Sequence, residues 1–511
     1  MLAWTCWWWI RHTAIPPAVL ALAVSAAAQS GPVVRLDSGE VRGVEGFATQ
    51  AFLGVPFAAP PVGALRWKAP EQVEAWAGMR DATHLAQPCA APLSGDGLKS
   101  LSEDCLYLDV YRPSGVKAGE KLPVMVFLHG GGNIWGSPNI YDGVRMAEVG
   151  HAVVVVPAYR LNAFGLLALP SMGENAGTFL LQDQLAALKW VARNVGAFGG
   201  DAMDVTVSGQ SAGAGDTCAL VASPAAAGLF RQAIVQSGSC ETGASVAQAE
   251  ATGEAFAKKL GCDGKDAEAC LKAKTADEIL DAWSQIPSAK GAAPYGGSLL
   301  PIGVGEAVAA GKINKVPVLI GFAEDEWWPF QHGLYPLSEE GYQKQLADDF
   351  QGRAAKVAEL YPETAFPHRE YVLGAELGDE TFICPALASA SVLAKSTRVS
   401  VYEFADRTVP PFKSLGPPIP RPAGYNPGAF HTSELQYLYN YQSAEGPLSE
   451  TQRRLGDKMI KLWVGFNRGK NDGWPLYGQD KMVMRLGADG VSIAPSNAVY
   501  ENHKCSFWNA K

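Results

Sequence analysis

The 511-residue chain has no Cys-x-x-Cys spacing and no histidine next to any of its nine cysteines, which argues against a thiolate zinc site. It carries no basic run after its first residues, and its formal net charge is -9. Nucleic acid and acidic membrane surfaces are therefore poor partners. No internal repeat or low-complexity tract is present, so nothing points to a solenoid or an array. Downstream of the N-terminal segment no apolar run reaches the ~18 residues of a membrane-spanning helix. What remains is a chain whose 48% apolar content is that of a folded globule. Its length allows one large α/β core or two to three ordinary domains.

Residues 1–28 read as an export signal. Arg11 and His12 precede an apolar run from Ala14 to Ala28 that ends in Ala26-Ala27-Ala28, a small-x-small cleavage site. The competing reading is a membrane anchor, for which the run is too short and too rich in alanine. Cleavage would start the mature chain at Gln29, in the periplasm or outside the cell. Cys6 would leave with the signal, and an even set of cysteines would remain. In an exported chain that suggests bridges. Cys89–Cys105 and Cys262–Cys270 would close short loops, and Cys384–Cys505 and Cys218–Cys240 complete the set.

Short continuous apolar runs recur along the chain: Pro123–Leu128, Ala152–Pro157, Val205–Ser208, Ala233–Gln236, Val316–Gly321 and Val399–Phe404. Such runs suit strands covered on both faces. Val33–Val44 reads as a hairpin turning at Ser38-Gly39. Leu180–Phe198 and Thr451–Asn467 are amphipathic helices. Alternation of the two element types predicts a doubly wound α/β sheet. Residues 29–511 are expected to form a single catalytic domain. Segments at roughly 271–306 and 334–397 are expected to lie above the sheet and wall a pocket.

Gly209-Gln210-Ser211-Ala212-Gly213 follows the strand at 205–208 and opens a run of small residues. A serine with glycine two residues to either side fits a sharp strand-to-helix elbow that exposes the hydroxyl. A serine needs a histidine to take its proton and a carboxylate to orient that histidine. It also needs N–H donors for the oxyanion. His129-Gly130-Gly131-Gly132-Asn133, directly after the strand ending at Leu128, offers Gly131 and Gly132 as donors beside Ala212. Among the histidines, His84, His151, His332, His368 and His503 have no supporting pattern. His431, in Gly428-Ala429-Phe430-His431-Thr432-Ser433-Glu434-Leu435, lies in the chain order expected of a serine–acid–histidine triad. The acid falls in Glu324-Asp325-Glu326, and these residues alone leave the choice among the three open.

Further motifs make the chain resemble the type-B carboxylesterase and lipase family, which includes the cholinesterases. They are Gly54-Val55-Pro56-Phe57-Ala58, Arg66-Trp67, Glu103-Asp104-Cys105-Leu106-Tyr107-Leu108-Asp109-Val110, Tyr159-Arg160-Leu161 and Asn175-Ala176-Gly177. Phe198-Gly199-Gly200-Asp201, Gln236-Ser237-Gly238 and the closing Cys505-Ser506-Phe507-Trp508-Asn509 belong to the same set. The resemblance covers nearly all of residues 32–508. It implies an α/β-hydrolase fold and a cofactor-free esterase. Ser211 would be its nucleophile, His431 its base, Glu326 its acid, and Gly131, Gly132 and Ala212 its oxyanion donors. It supports three of the four cysteine pairs and is silent on Cys218–Cys240.

Departures from that family bear on substrate. Gln210 stands where the family usually has glutamate, so a buried negative charge beside the serine is missing. Ala323 replaces a frequent asparagine, and Trp327-Trp328 follow Glu326 in place of glycine. The Cys89–Cys105 loop has no aromatic residue to hold a quaternary ammonium, so choline esters are not the expected substrate. Leu93, Leu98 and Leu101 are its only large apolar residues, a poor lid for a lipase. Asn133, Trp135, Gln210, Trp327 and Trp328 are candidate pocket-wall residues. The expected activity is hydrolysis of a small-molecule carboxylic ester. A lipase, an amidase, or a hydrolase of xenobiotic, toxin or hydroxycinnamate esters is the alternative on the same triad. A catalytically dead binding protein is disfavoured because every part is kept. The residues do not indicate an oligomeric state.

Overall fold

A computed structural model describes residues 31–510, apart from 94–96, 242, 290, 329–334, 412–425, 442–444 and 469–472. The export signal at 1–28 and His332 lie outside the described residues. Eleven strands form the main sheet. In chain order they are β1 (Val44–Glu45), β2 (Thr49–Pro56), β3 (Tyr107–Pro113), β4 (Leu122–Leu128), β5 (Val153–Pro157) and β6 (Gly200–Gln210). The rest are β7 (Gln232–Gln236), β8 (Val318–Ala323), β9 (Val399–Ala405), β10 (Met482–Gly487) and β11 (Gly490–Pro495). Their spatial order is β11-β10-β9-β8-β7-β6-β4-β5-β3-β2-β1. From β10 through to β5 every neighbouring pair is parallel. The pairs at both margins are antiparallel.

Alternation along β4 shows how the sheet divides two cores. Val124, Val126 and Leu128 join one buried cluster, with Leu181, Leu185 and Leu188 of the helix Phe179–Asn194. Met125 and Phe127 point into the other, with Leu455, Met459, Ile460 and Trp463 of the helix Glu450–Gly465. Successive strand side chains face opposite sides, so a run apolar at every position is what a doubly covered strand requires. The second helix starts where Ser449 and Gln452 cap each other reciprocally.

Several boundaries differ from expectation. The hairpin at 33–44 supplies Val33–Arg35 and Glu40–Arg42 to a separate small sheet with Met79–Asp81. The helix expected over 180–198 is α-helical over Phe179–Asn194 and tightens to a 3-10 turn over Val195–Phe198. Strands β2, β3, β10 and β11 carry no apolar run that sequence reading singled out. In β3 the buried Asp109 accepts from Gly54 N at 2.8 Å, and Arg112 donates to Gln50 at 2.7 Å. These partners let polar residues occupy an interior strand. Residues 334–397 contain the helices Glu339–Phe350, Ala354–Leu360, Arg369–Gly378 and Cys384–Leu393. Residues 271–306 contain Ala276–Ser284.

Disulfides join Cys89 to Cys105, Cys218 to Cys240, Cys262 to Cys270 and Cys384 to Cys505. The last spans 121 residues and fastens the terminal helix Cys505–Trp508 to the body.

Candidate active site

The carboxyl ends of β4, β6 and β8 converge, as is usual for ligand sites in open α/β sheets. Strand β6 runs straight into Ser211, which sits at φ 58° and ψ −122° and begins the helix Ala212–Ala222. Non-glycine residues rarely occupy that region, and those that do cluster at functional sites. Two close approaches explain the flanking glycines. A Cβ on Gly209 would lie 2.0 Å from Gly213 O, and one on Gly213 would lie 2.2 Å from Leu128 O. Ser211 N donates to Gln236 O at 2.9 Å, which pins the elbow to β7. As the first residue of its helix, Ala212 has an N–H without an intrahelical acceptor.

The loop after β4 lies against this elbow. A Cβ on Gly130 would be 3.1 Å from Ser211 Cβ. Tyr159 OH donates to His129 O at 2.5 Å, and the His129 ring stacks on Tyr159 with centroids 4.3 Å apart. Burial pushes His129 down to about 4, so it stays neutral and structural. Gly131 O accepts from both Ile134 N and Trp135 N at 3.0 Å. Asn133 is buried, and its Nδ2 donates to Asp216 at 2.9 Å and to Gly291 O at 2.7 Å. Gln184 donates to the other Asp216 oxygen at 2.7 Å. Burial pushes the Asp216 carboxyl up to about 7. Asn133 thus anchors the loop through its side chain. Trp135 is half-buried and packs over Gly131.

The three acids at 324–326 have different partners. Glu326 Oε2 lies 2.5 Å from His431 Nδ1, and its Oε1 accepts from Ala323 N at 2.8 Å. Asp325 is gripped by Arg407 at 2.7 and 2.8 Å and accepts from Ala429 N. Glu324 pairs with Arg485 at 2.6 Å. His431 is buried, and its Nε2 lies 3.0 Å from Gln210 Nε2.

Two features lay outside sequence reading. The Phe382 ring lies 4.6 Å from the His431 ring and 5.7 Å from that of Trp327. It is carried by the π-turn Asp379–Ile383, a one-residue change of helical register that no periodicity reveals. Glu434 is buried three residues beyond His431. Burial, with the nearby Glu326 charge, pushes it up to about 8, and Gln236 donates to it at 3.4 Å. Its place in the string around His431 was the available signal. Trp328 packs on Tyr371 and under Arg407. It lines a cavity of about 410 Å³ together with Glu326, Asp379 and His503.

A model of the carboxylesterase family matches residues 30–508. The chain belongs to that family. It is 33% identical to the para-nitrobenzyl esterase of Bacillus subtilis over 88% of its own length and 93% of that protein's. It is 31% identical to a cocaine esterase of Homo sapiens, covering 98% of this chain and 95% of the relative. It is also 32% identical to a fumonisin B1 esterase of Sphingopyxis macrogoltabida, covering 97% and 93%. A solved structure of a PNB esterase superposes with a TM-score of 0.76 at 31% identity, over 93% of this chain and all of that one. The fold is therefore the α/β-hydrolase fold of these esterases. The chain is a carboxylic ester hydrolase of the serine type, working through an acyl-enzyme. Among the described residues no cluster of histidine, cysteine and carboxylates is placed to hold a metal ion. None of the described helices is long and apolar enough to cross a membrane.

Proposed function

We propose that Ser211 is the nucleophile of this carboxylesterase, His431 its general base and Glu326 the acid that orients the base. The observation that carries the assignment is the 2.5 Å contact between His431 Nδ1 and Glu326, at the end of a strand two places from the serine elbow. Ser211 Oγ attacks the ester carbonyl as His431 Nε2 takes its proton. The N–H groups of Gly131, Gly132 and Ala212 hold the oxyanion. His431 then returns the proton to the leaving alcohol, and water repeats the sequence on the acyl-enzyme. Residues 29–511 act as one catalytic domain, with the helical segments at 271–306 and 334–397 walling the pocket.

The substrate class we assign is neutral small esters, with xenobiotic, toxin or hydroxycinnamate esters as the specialised alternative. Gln210 in place of a carboxylate supports this, because it removes a negative charge that would favour a cation. Names of the relatives bear on the specialised alternative, since they include a cocaine esterase and a fumonisin B1 esterase. Trp135 packs over Gly131 and the Trp327 ring lies 5.7 Å from that of Phe382, and we place both in the pocket wall. Export, with removal of residues 1–28, is proposed from the leader and from four disulfides, which persist in oxidising compartments.

The test is hydrolysis of p-nitrophenyl esters of rising acyl length by the mature chain and its Ser211→Ala variant. Activity on short chains should fall about 10⁵–10⁶-fold in the variant. Preference for long micellar esters would instead favour a lipase, and an active variant would remove Ser211 from its role.

A further inference from the structure

The oxyanion donors assigned above come from two separate segments. Gly131 and Gly132 lie on the loop after β4, and Ala212 opens the helix Ala212–Ala222. Their N–H groups converge on one oxygen only if loop and helix are fixed to within about 0.5 Å of each other. The loop does not fix itself. Gly131 and Gly132 sit at φ 114° and 66°, and glycine leaves the backbone its full freedom.

A side-chain bridge supplies the constraint. Asn133 directly follows Gly132 and is buried, and its backbone O accepts from Asn162 N at 2.8 Å. Its Nδ2 donates to Asp216 Oδ1 at 2.9 Å. Asp216 stands one helical turn beyond Ala212, on the same face of the helix. Its Oδ2 accepts from Gln184 Nε2 at 2.7 Å, which ties the bridge to the helix Phe179–Asn194. Asn133 Nδ2 also donates to Gly291 O at 2.7 Å, and a Cβ on Gly291 would lie 2.0 Å from Gly132 O.

The carboxylate is the organising group of this bridge. Asn133 Oδ1 and Gln184 Oε1 are buried without hydrogen-bond partners. Both amides therefore commit their donors to Asp216 and leave their acceptors idle, as a group that only accepts demands. Burial penalises the charge and pushes the Asp216 carboxyl up to about 7, a cost that an apolar side chain would avoid.

We propose that Asp216 is a positioning residue of the oxyanion hole, holding Gly132 N–H through Asn133 in register with Ala212 N–H. It touches no substrate and exchanges no proton. Its effect is felt once the carbonyl oxygen has become an oxyanion, so it bears on kcat rather than KM. The inference rests on the triad and the oxyanion donors assigned above.

The experiment measures kcat and KM for p-nitrophenyl acetate and Ki for trifluoroacetophenone, beside thermal melting. It uses the mature wild-type chain, D216L, N133G, the double variant D216L/N133G and S211A. Leucine keeps the bulk of Asp216 and removes both acceptors. Glycine removes the Asn133 side chain and accepts its backbone, at φ 56°, without strain. The ketone reports the hole directly: Ser211 Oγ bonds to its carbonyl carbon, the carbonyl oxygen becomes an oxyanion, and the hydroxyl proton passes to His431 Nε2. D216L and N133G should each lose about 10²-fold in kcat at nearly unchanged KM, with Ki weakened by a similar factor. The double variant should lose no more than the worse single variant, because both break one bridge. Wild-type kcat and Ki with only melting lowered, or losses that multiply in the double variant, would overturn the inference and leave the triad standing. Hydrolysis by S211A would overturn both. If D216L does not fold, N133G decides by the same split between kcat and KM.

Discussion

Adding one methyl group at Gly213 should separate geometry from helix stability. Alanine within a helix normally gains about 0.5–1 kcal/mol over glycine. At Gly213 the new Cβ would meet Leu128 O at 2.2 Å and His129 O at 2.6 Å, backbone atoms at the end of β4 and the start of the glycine loop. Reaching ordinary contact requires roughly 1 Å of movement between elbow and loop, which no rotamer can absorb. Overpacking of that kind costs about 1–3 kcal/mol. A 1 Å misplacement of reacting groups costs about 10²-fold in rate. Gly215, two residues on in the same helix, meets nothing within 4 Å. G215A should therefore gain the helix increment and keep its activity, while G213A loses both. Urea unfolding midpoints and kcat/KM for p-nitrophenyl acetate would measure the two variants side by side. If G213A hydrolysed the ester as fast as wild type, or if the two variants behaved alike, the steric account of the elbow would be refuted.

E326Q should lower kcat by about 10³–10⁴-fold, because an amide facing Nδ1 no longer holds the base in its working tautomer. D325N, one residue away, should retain most activity and lose stability as Arg407 loses its bidentate partner; steady-state rates and urea midpoints for both variants check this. Alkali should weaken the fold through His503. Burial works against its imidazolium, but Asp379 and Glu403 outweigh burial and push it up to about 10. Its unfolded value is about 6.5. The contribution is complete below about pH 6.5 and is lost as pH rises towards about 10. Urea midpoints across that window should fall in wild type and flatten in H503Q.

Strands β4 and β5 were legible because each is short and apolar at every position, a pattern that suits a strand covered on both faces. The marginal strands were not. In β3, Asp109 and Arg112 are buried on the strength of partners from β2 and its neighbours, and such pairings are invisible until the chain is folded. The serine elbow and the glycine loop were legible through spacing, since close backbone approach admits glycine alone. The residues at 324–326 carry three carboxylates in a row, and local sequence gives no ground for choosing among them. Only in the fold do their partners differ: Arg407 and Arg485 hold Asp325 and Glu324, while Glu326 meets His431, which supports Glu326 as the proposed acid. Phe382 escaped notice because its approach to His431 depends on a π-turn, where the helical period slips.

The backbone at Ser211 has a consequence for how this protein can evolve. A serine held at φ 58° gives up of order 1–3 kcal/mol that a relaxed residue would keep. The surrounding close packing at Gly209, Gly213 and Gly130 must supply that deficit. Substitutions that ease the elbow, glycine at position 211 foremost, would strengthen the fold while abolishing its chemistry. Selection for robustness alone would therefore drift away from the proposed nucleophile, and continuing demand for ester hydrolysis would keep the strained serine in place.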